Sequence, residues 1–193
     1  MRIFVAVFIL IFSLQSWTKA DDIRDFEIEG MSLYDSALDY FSLSEIEDSK
    51  RNFYINKKYT TSSLKSDKFQ IYSEIQISYR SDDKSFKMLD INGIVKKNYE
   101  ECMKEIETTS LEFDQIFKEA TQDKLLTYSH NSDISKESKV SDIYWRFDNG
   151  DLIVLACYNW DTKYGKENNY NSEIRVTIGS KEFDAFLVEE SKF

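Results

Sequence analysis

The stretch Ile143-Tyr144-Trp145-Arg146-Phe147-Asp148-Asn149-Gly150-Asp151-Leu152-Ile153-Val154-Leu155-Ala156-Cys157-Tyr158 decides the fold. Ile143, Trp145 and Phe147 alternate with Tyr144, Arg146 and Asp148, the period-two signature of a strand with one buried face. Leu152 to Tyr158 is almost unbroken apolar, as in a central strand covered on both faces. Asn149-Gly150 lies between them, a strong hairpin signal because both residues of a two-residue turn must accept positive φ. With that loop, paired positions sum to 299, so Phe147 faces Leu152, Trp145 faces Val154 and Ile143 faces Ala156. This register puts Trp145 on one face of the sheet and Cys157, with Asp142, Tyr144 and Arg146, on the other.

Further strands follow outward from this hairpin. Phe69, Ile71, Ile75, Ile77 and Tyr79 alternate with Gln70, Glu74, Gln76, Ser78 and Arg80, and Ile174, Val176 and Ile178 form another alternating run. Between them the phase changes: Phe86 and Met88 share one face, Leu89 and Ile91 the other, which predicts a bulge or a strand covered on both sides. Arg51 to Lys68 holds five basic residues against one acid. It reads as a solvated edge strand or loop, where Lys discourages aggregation, with a docking patch for an acidic partner as the alternative.

Helices announce themselves by their caps. Ser32 with Asp35 predicts one bearing Leu33, Tyr34, Ala37, Leu38 and Phe41, and Ser44 with Glu47 a shorter turn. Asn98 with Glu101 predicts another, with Tyr99, Cys102, Met103 and Ile106 as its apolar stripe. Leu111, Phe113, Ile116 and Phe117 read as a second short helix behind Ser110. Ser180 caps a last helix carrying Phe183, Phe186 and Leu187, a strand being the alternative. Residues 122–140 and 161–172 read as loops. The expected fold is α+β: an antiparallel sheet of about five strands with helices packed on it.

Met1-Arg2, the apolar run from Ile3 to Leu14 and Thr18-Lys19-Ala20 have the three-part layout of a secretory signal. Residues 1–20 are therefore expected to be removed, leaving a single domain, 21–193. A retained anchor is the alternative, although this run falls short of the about 20 apolar residues that span a bilayer. No second apolar stretch reaches that length. Export to a periplasmic or extracellular compartment makes a Cys102–Cys157 disulfide the expectation, since an even cysteine count in an oxidising compartment suggests a bridge. Two separate buried thiols are the alternative.

The chemistry is limited by composition. A net charge of −10, from 25 basic and 35 acidic residues, argues against nucleic acid or anionic lipid as a partner, because both need a basic face. His130 is the lone histidine and lies in a polar run, which excludes sites built on two or three histidines. No Gly-x-Ser-x-Gly elbow lifts a serine out of a sheet, and the five glycines are too scattered for a phosphate loop. Asp148-Asn149-Gly150-Asp151 resembles a fragment of a calcium loop, but Asn159 stands where the twelfth-position Glu should be. Among so many acids no catalytic carboxylate pair can be nominated. No catalytic residue, cofactor site or metal site is assigned. Tyr144, Tyr158, Trp160, Tyr164 and Tyr170 cluster near the hairpin and the loop after it. Of these, Tyr158, Trp160 and Tyr164 are the candidates for stacking on a sugar or peptide, against the plain alternative of core packing.

Three passages taken together, Ile28-Glu29-Gly30-Met31-Ser32, Leu155-Ala156-Cys157-Tyr158-Asn159-Trp160 and Ser180-Lys181-Glu182-Phe183, resemble small uncharacterised secreted proteins of AT-rich marine alphaproteobacteria. That resemblance implies secretion and no particular activity. Gly30-Met31-Ser32 also resembles the start of the first helix in small envelope proteins with the fold of the outer-membrane assembly lipoprotein. This chain departs from them in having no lipidated Cys and in carrying Ser36 at the expected valine position. The expectation is a secreted or periplasmic, non-enzymatic interaction or binding module whose partner is an unknown protein or small ligand, with no nucleic acid bound and no membrane span in the mature chain. The alternative is a small periplasmic hydrolase using carboxylates or a serine.

Overall fold

The computed structural model describes residues 23–190. The signal segment and the cut before Asp21 lie outside the described residues. The fold is α+β, but its antiparallel sheet has nine strands rather than about five. From one edge they run β1 (Lys50–Arg51), β2 (Tyr59–Leu64), β3 (Glu74–Arg80), β4 (Asp90–Lys96), β9 (Glu173–Gly179), β8 (Leu152–Asn159) and β7 (Lys139–Arg146). The far edge is shared by β5 (Thr121–Gln122) and β6 (Leu126–Ser129), both paired with β7. Partners in the β5 pairing sum to 267 and those in the β6 pairing to 268, so the two are one edge strand broken by a single-residue bulge. The extra strands are short or polar, and β2, Tyr-Thr-Thr-Ser-Ser-Leu, shows no apolar alternation. Its buried hydroxyls are satisfied instead, Ser62 Oγ donating to the Ile46 carbonyl at 2.8 Å and Thr61 bonding Ser78 at 2.8 Å.

The hairpin forms between the expected strands, but its register is shifted by one. Trp145 pairs with Ile153, Ile143 with Leu155 and Ser141 with Cys157, so partners sum to 298. The loop has three residues: Gly150 N donates to the Phe147 carbonyl at 2.8 Å, and Phe147 N to the Asp151 carbonyl at 2.9 Å. Only Gly150 takes positive φ, +88°, the left-handed position that closes a three-residue hairpin. Asn149 instead accepts from Asp151 N through Oδ1 and donates to Asp151 Oδ2, each at 2.9 Å. Asp151 is buried, and its Oδ1 accepts from Tyr34 Oη at 2.7 Å and from Lys181 N at 2.9 Å. These long-range bonds hold the turn in its longer form.

A one-residue slip flips every side chain, so the expected division of faces is corrected. Trp145 and Cys157 share a face. That face carries Tyr79, Ile77, Ile75, Ile91, Ile178, Ile174, Ile153, Leu155 and Ile143, all buried in one cluster. One cover is α2 (Tyr99–Ile116), capped by Asn98, whose Oδ1 accepts from Glu101 N at 2.9 Å. It continues through Ser110 as a single helix, burying Cys102, Ile106, Thr109 and Phe113, where two shorter helices were expected. Helical propensity across Thr-Thr-Ser is modest, and the buried stripe carries the helix through. Cys102 and Cys157 are joined by a disulfide, Cα to Cα 5.9 Å, fastening α2 to the sheet's centre.

The chain before β1 covers the same face. The α-helix expected after Ser32 is absent. Tyr34 N donates to the Met88 carbonyl, Met88 N to that of Asp35 and Ala37 N to that of Phe86, so the segment pairs with residues 86–88 as an extended strand would. Only a 3₁₀ turn, Ala37–Asp39, and the short α1 (Leu43–Asp48) follow. The capping box of α1 is Ser42 with Glu45 rather than Ser44 with Glu47. The strand expected from Phe69 begins only at Glu74. Before it, the Glu29 carboxylate accepts from the amides of Gln70, Ile71 and Tyr72 at 2.7 to 3.1 Å, leaving them no ladder to join. The phase change at Met88-Leu89 is where the irregular chain enters β4: Met88 joins the main core, Leu89 the cluster on the other side.

Candidate functional site: the second face of the sheet

The opposite face has a different composition. Across neighbouring strands it presents Thr61, Ser78, Asp90, Asn92, Thr177, Arg175, Glu173, Val154, Ala156, Tyr158, Arg146, Tyr144, Asp142 and Tyr128 in register. One end is covered by α4 (Lys181–Glu190), the expected last helix, with Ser180 Oγ accepting from Phe183 N at 3.2 Å. Phe183 packs edge-on with Tyr54 and Tyr59, and Phe186 edge-on with Tyr54. Glu182 holds Arg80 by two bonds of 2.7 Å and Tyr59 Oη by one of 2.5 Å.

Beneath α4 a hydrogen-bond chain runs through Tyr54, Thr61, Ser78, Asp90, Asn92 and Thr177, with links of 2.5 to 3.5 Å. Burial pushes the Asp90 carboxyl up to about 7, against the pull of Asn92, the Arg175 charge and Ser78. Burial also pushes the Tyr54 hydroxyl up to about 12. Further along, the buried Asp142 carboxylate accepts from Tyr128 Oη and, at 3.4 Å, from Tyr144 Oη. Burial raises its pKa while both tyrosines oppose that rise. The Arg146 guanidinium stands 4.7 Å over Tyr144 and pairs with Asp123 and Asp184, and that of Arg175 stands 4.4 Å over Tyr158 and pairs with Glu173. Among the described residues no buried side-chain nitrogen or oxygen lacks a partner. This network is complete in itself.

The rings where β8 leaves the sheet are organised differently. Asp161 caps α3 (Thr162–Asn168), its Oδ2 accepting from Lys163 N at 2.8 Å and Tyr164 N at 3.1 Å. The chain then doubles back so closely that a Cβ on Gly165 would lie 3.1 Å from the Tyr170 carbonyl oxygen. Trp160 therefore has Tyr158 at 5.8 Å, Tyr164 at 5.9 Å and Tyr170 at 4.6 Å, centroid to centroid, with the first two near-parallel to it at 22° and 23°. Tyr158, Trp160 and Tyr164, the three candidates, thus come together, partly buried, and Tyr170 is 39% exposed. Tyr144 stays apart, on Asp142 and Arg146.

His130 completes the group, its ring 4.5 Å from Trp160 and 6.0 Å from Tyr158. A turn fixed by Asp133 brings it there, Asp133 accepting from Ser135 N and Ser138 N at 2.9 Å each, while Ser138 Oγ accepts from Asp161 N. Its Nδ1 accepts from Ser132 N at 3.2 Å, which leaves the proton of a neutral ring on Nε2. Burial and the Arg175 charge lower its pKa. Sequence reading left His130 as a plain loop residue and did not single out Arg175, Glu173 or Asp142. The long-range ring contact of His130 has no local signal, and the alternation of Arg175 with Ile174 and Val176 marked only an outward-facing position.

The calcium-like fragment lies in the hairpin turn, where Asp151 is engaged with Asn149, Tyr34 and Lys181. Among the described residues no helix is long and apolar enough to cross a membrane. No family model matches the chain, and neither the curated proteins nor the solved structures contain a match.

Proposed function

We propose that this chain is a secreted or periplasmic, non-enzymatic binding module that recognises its ligand on the second face of the sheet, at the rings around Trp160. One observation carries the reading. Trp160, Tyr164 and Tyr170 belong to none of the three buried apolar clusters and pack on one another, the first two partly buried and Tyr170 exposed. Rings with an apolar body and a polar tip are enriched where a protein meets a partner. Nearby polar groups on neighbouring strands supply the few directional contacts that orient a ligand. Export is supported by the apolar run after Met1-Arg2, and by a disulfide of the kind that persists in oxidising compartments.

Amide chemical-shift mapping against a chemically diverse panel of sugars, short peptides, carboxylic acids and polyamines tests this. Shifts are expected at residues 158–170 and 130–138. Shifts confined to α2 and the segment before β1, or none with any compound, would refute the proposal.

A further inference from the structure

Most buried acids among the described residues are held by a cation or by backbone amides. Glu173 pairs with Arg175, whose charge also acts on Asp90. Asp133 accepts from the amides of Ser135 and Ser138, and Asp151 from that of Lys181. Asp142 on β7, only 3% exposed, has neither. Its donors are the hydroxyls of Tyr128 and Tyr144, and both go to Oδ2. Oδ1 receives no hydrogen bond, and since no buried side-chain oxygen lacks a partner, it opens into the cavity that Asp142 lines. Buried carboxylates are ordinarily paired, so this one lacks its usual counter-charge.

We propose that this cavity, of about 440 Å³ on the second face, binds an alkylammonium group, a primary amine on an apolar stem, with Asp142 Oδ1 as its acceptor. The chain's own cations do not fill that role. Arg146 is committed to Asp123, Asp184 and the Tyr144 ring, and Lys124 is exposed at the rim. Burial raises the Asp142 pKa and only the two tyrosines oppose the rise, so neither cation acts on the carboxyl. Leu126 and Tyr128 of β6, 61% and 46% exposed, line the same cavity and give methylene groups an apolar surface. A guanidinium fits less well, because its fork bonds two oxygens side by side and Oδ2 already accepts from two hydroxyls. A calcium ion would need about six to eight oxygen ligands, and among the described residues no group of three or more His, Cys, Asp or Glu stands so as to hold a metal. The amine can belong to a free diamine, or to a lysyl side chain on a peptide laid along β6, an edge strand paired only with β7 among the described residues. The site shares no residue with the Trp160 rings and stands or falls separately from them.

The disulfide-bonded protein, made from the full chain, is titrated by calorimetry with cadaverine and with an N-acetylated, C-amidated Val-Thr-Lys-Thr-Val peptide. Agmatine, uncharged pentanediol and the dianion glutarate are titrated in parallel. At least one of the two amines is expected to bind and to shift the amides of residues 126–128 and 142–146, with agmatine weaker and the diol and dianion silent. Cadaverine binding assigns the site to free amines, and binding of the peptide alone assigns it to a lysyl side chain. Asp142→Asn should weaken the amine about tenfold or more, the loss expected for a hydrogen bond to a charged group. Leu126→Arg changes an exposed residue, puts a competing cation at the cavity, and should also weaken it. Glu107→Gln removes the same charge from the exposed side of α2 and should leave binding unchanged, which separates the site from general attraction to an acidic protein. Circular dichroism confirms that each variant is folded, and Leu126→Arg decides alone if Asp142→Asn is not. No binding of either amine by folded protein, or binding that the folded variants at 142 and 126 leave intact, overturns the proposal. Pentanediol or agmatine binding as tightly as the amine would overturn the ammonium.

Discussion

The two faces of this sheet solve the burial problem by opposite means. On one, isoleucines from β3, β4, β8 and β9 meet α2 and the segment before β1, and Trp145, Phe113 and Phe117 close the layer at 0 to 1% exposure. On the other, α4 covers only one end, and most of the strand residues are tyrosine, serine, threonine, arginine and acid. There, burial of polar atoms is balanced by hydrogen bonds. A packed apolar layer gains stability roughly in proportion to the area it removes from water, while a satisfied polar network contributes little net but is costly to break. Stability should therefore reside on the α2 face and adaptability to a ligand on the face that carries Trp160.

The largest test of that contrast compares the two tryptophans. Trp145→Ala removes a fully buried ring and the bond from its Nε1 to Asp114 at 2.8 Å, and should cost about 3–5 kcal/mol. Trp160→Ala should cost about 1 kcal/mol or less. Urea unfolding followed by circular dichroism checks both, and equal losses would erase the distinction between the faces.

Next in size is the bridge that fastens α2. Replacing Cys102 and Cys157 together by serine should cost about 2–4 kcal/mol, lowering the midpoint of thermal unfolding. A smaller loss than that of Asn98→Ala would mean that the cover holds without its fastening.

The polar face has its own signature in pH. The Asp90 carboxyl stands at about 7 in the fold and near about 3.9 when unfolded. Between about pH 4 and about pH 7 the unfolded chain gives up this proton first, so the Asp90 contribution to stability declines as pH rises, by at most about 1.4 kcal/mol per unit. Asp90→Asn should remove that slope relative to wild type and leave the protein comparatively more stable at alkaline pH. Parallel stability profiles for the two proteins would refute a raised carboxyl. The smallest effect should be that of Asn98→Ala, which uncaps α2 for about 1 kcal/mol. Faster amide exchange in its first turn, with α4 unchanged, would confine the damage to one face.

Much of this was legible where side-chain pattern and local chemistry agreed. Asn98-x-x-Glu101 marked the start of α2, the alternation around Ile174 marked β9, and the cysteine pair and the ring candidates Tyr158, Trp160 and Tyr164 stood out by type and position. The misses share a cause. β2, β5 and β6 are strands because partners stand beside them, and their Ser, Thr and Tyr residues show no apolar period. Ser32 to Phe41 has helical spacing, yet its backbone pairs with residues 86–88. His130 joins the rings only because Asp133 folds its turn across the end of β8.

The hairpin shows where the division lies. Sequence alone determined that residues 143–147 and 152–158 are antiparallel strands, because period-two patterning and the Asn-Gly turn are local properties. It did not determine their register. Two- and three-residue loops are both open to Asn149-Gly150, and only the buried Asp151, held by Tyr34 from the N-terminal segment and Lys181 from α4, selected the longer one. Because side chains alternate with period two, that single residue placed Cys157 beside Trp145 under α2 and left Tyr158 on the face where the rings gather.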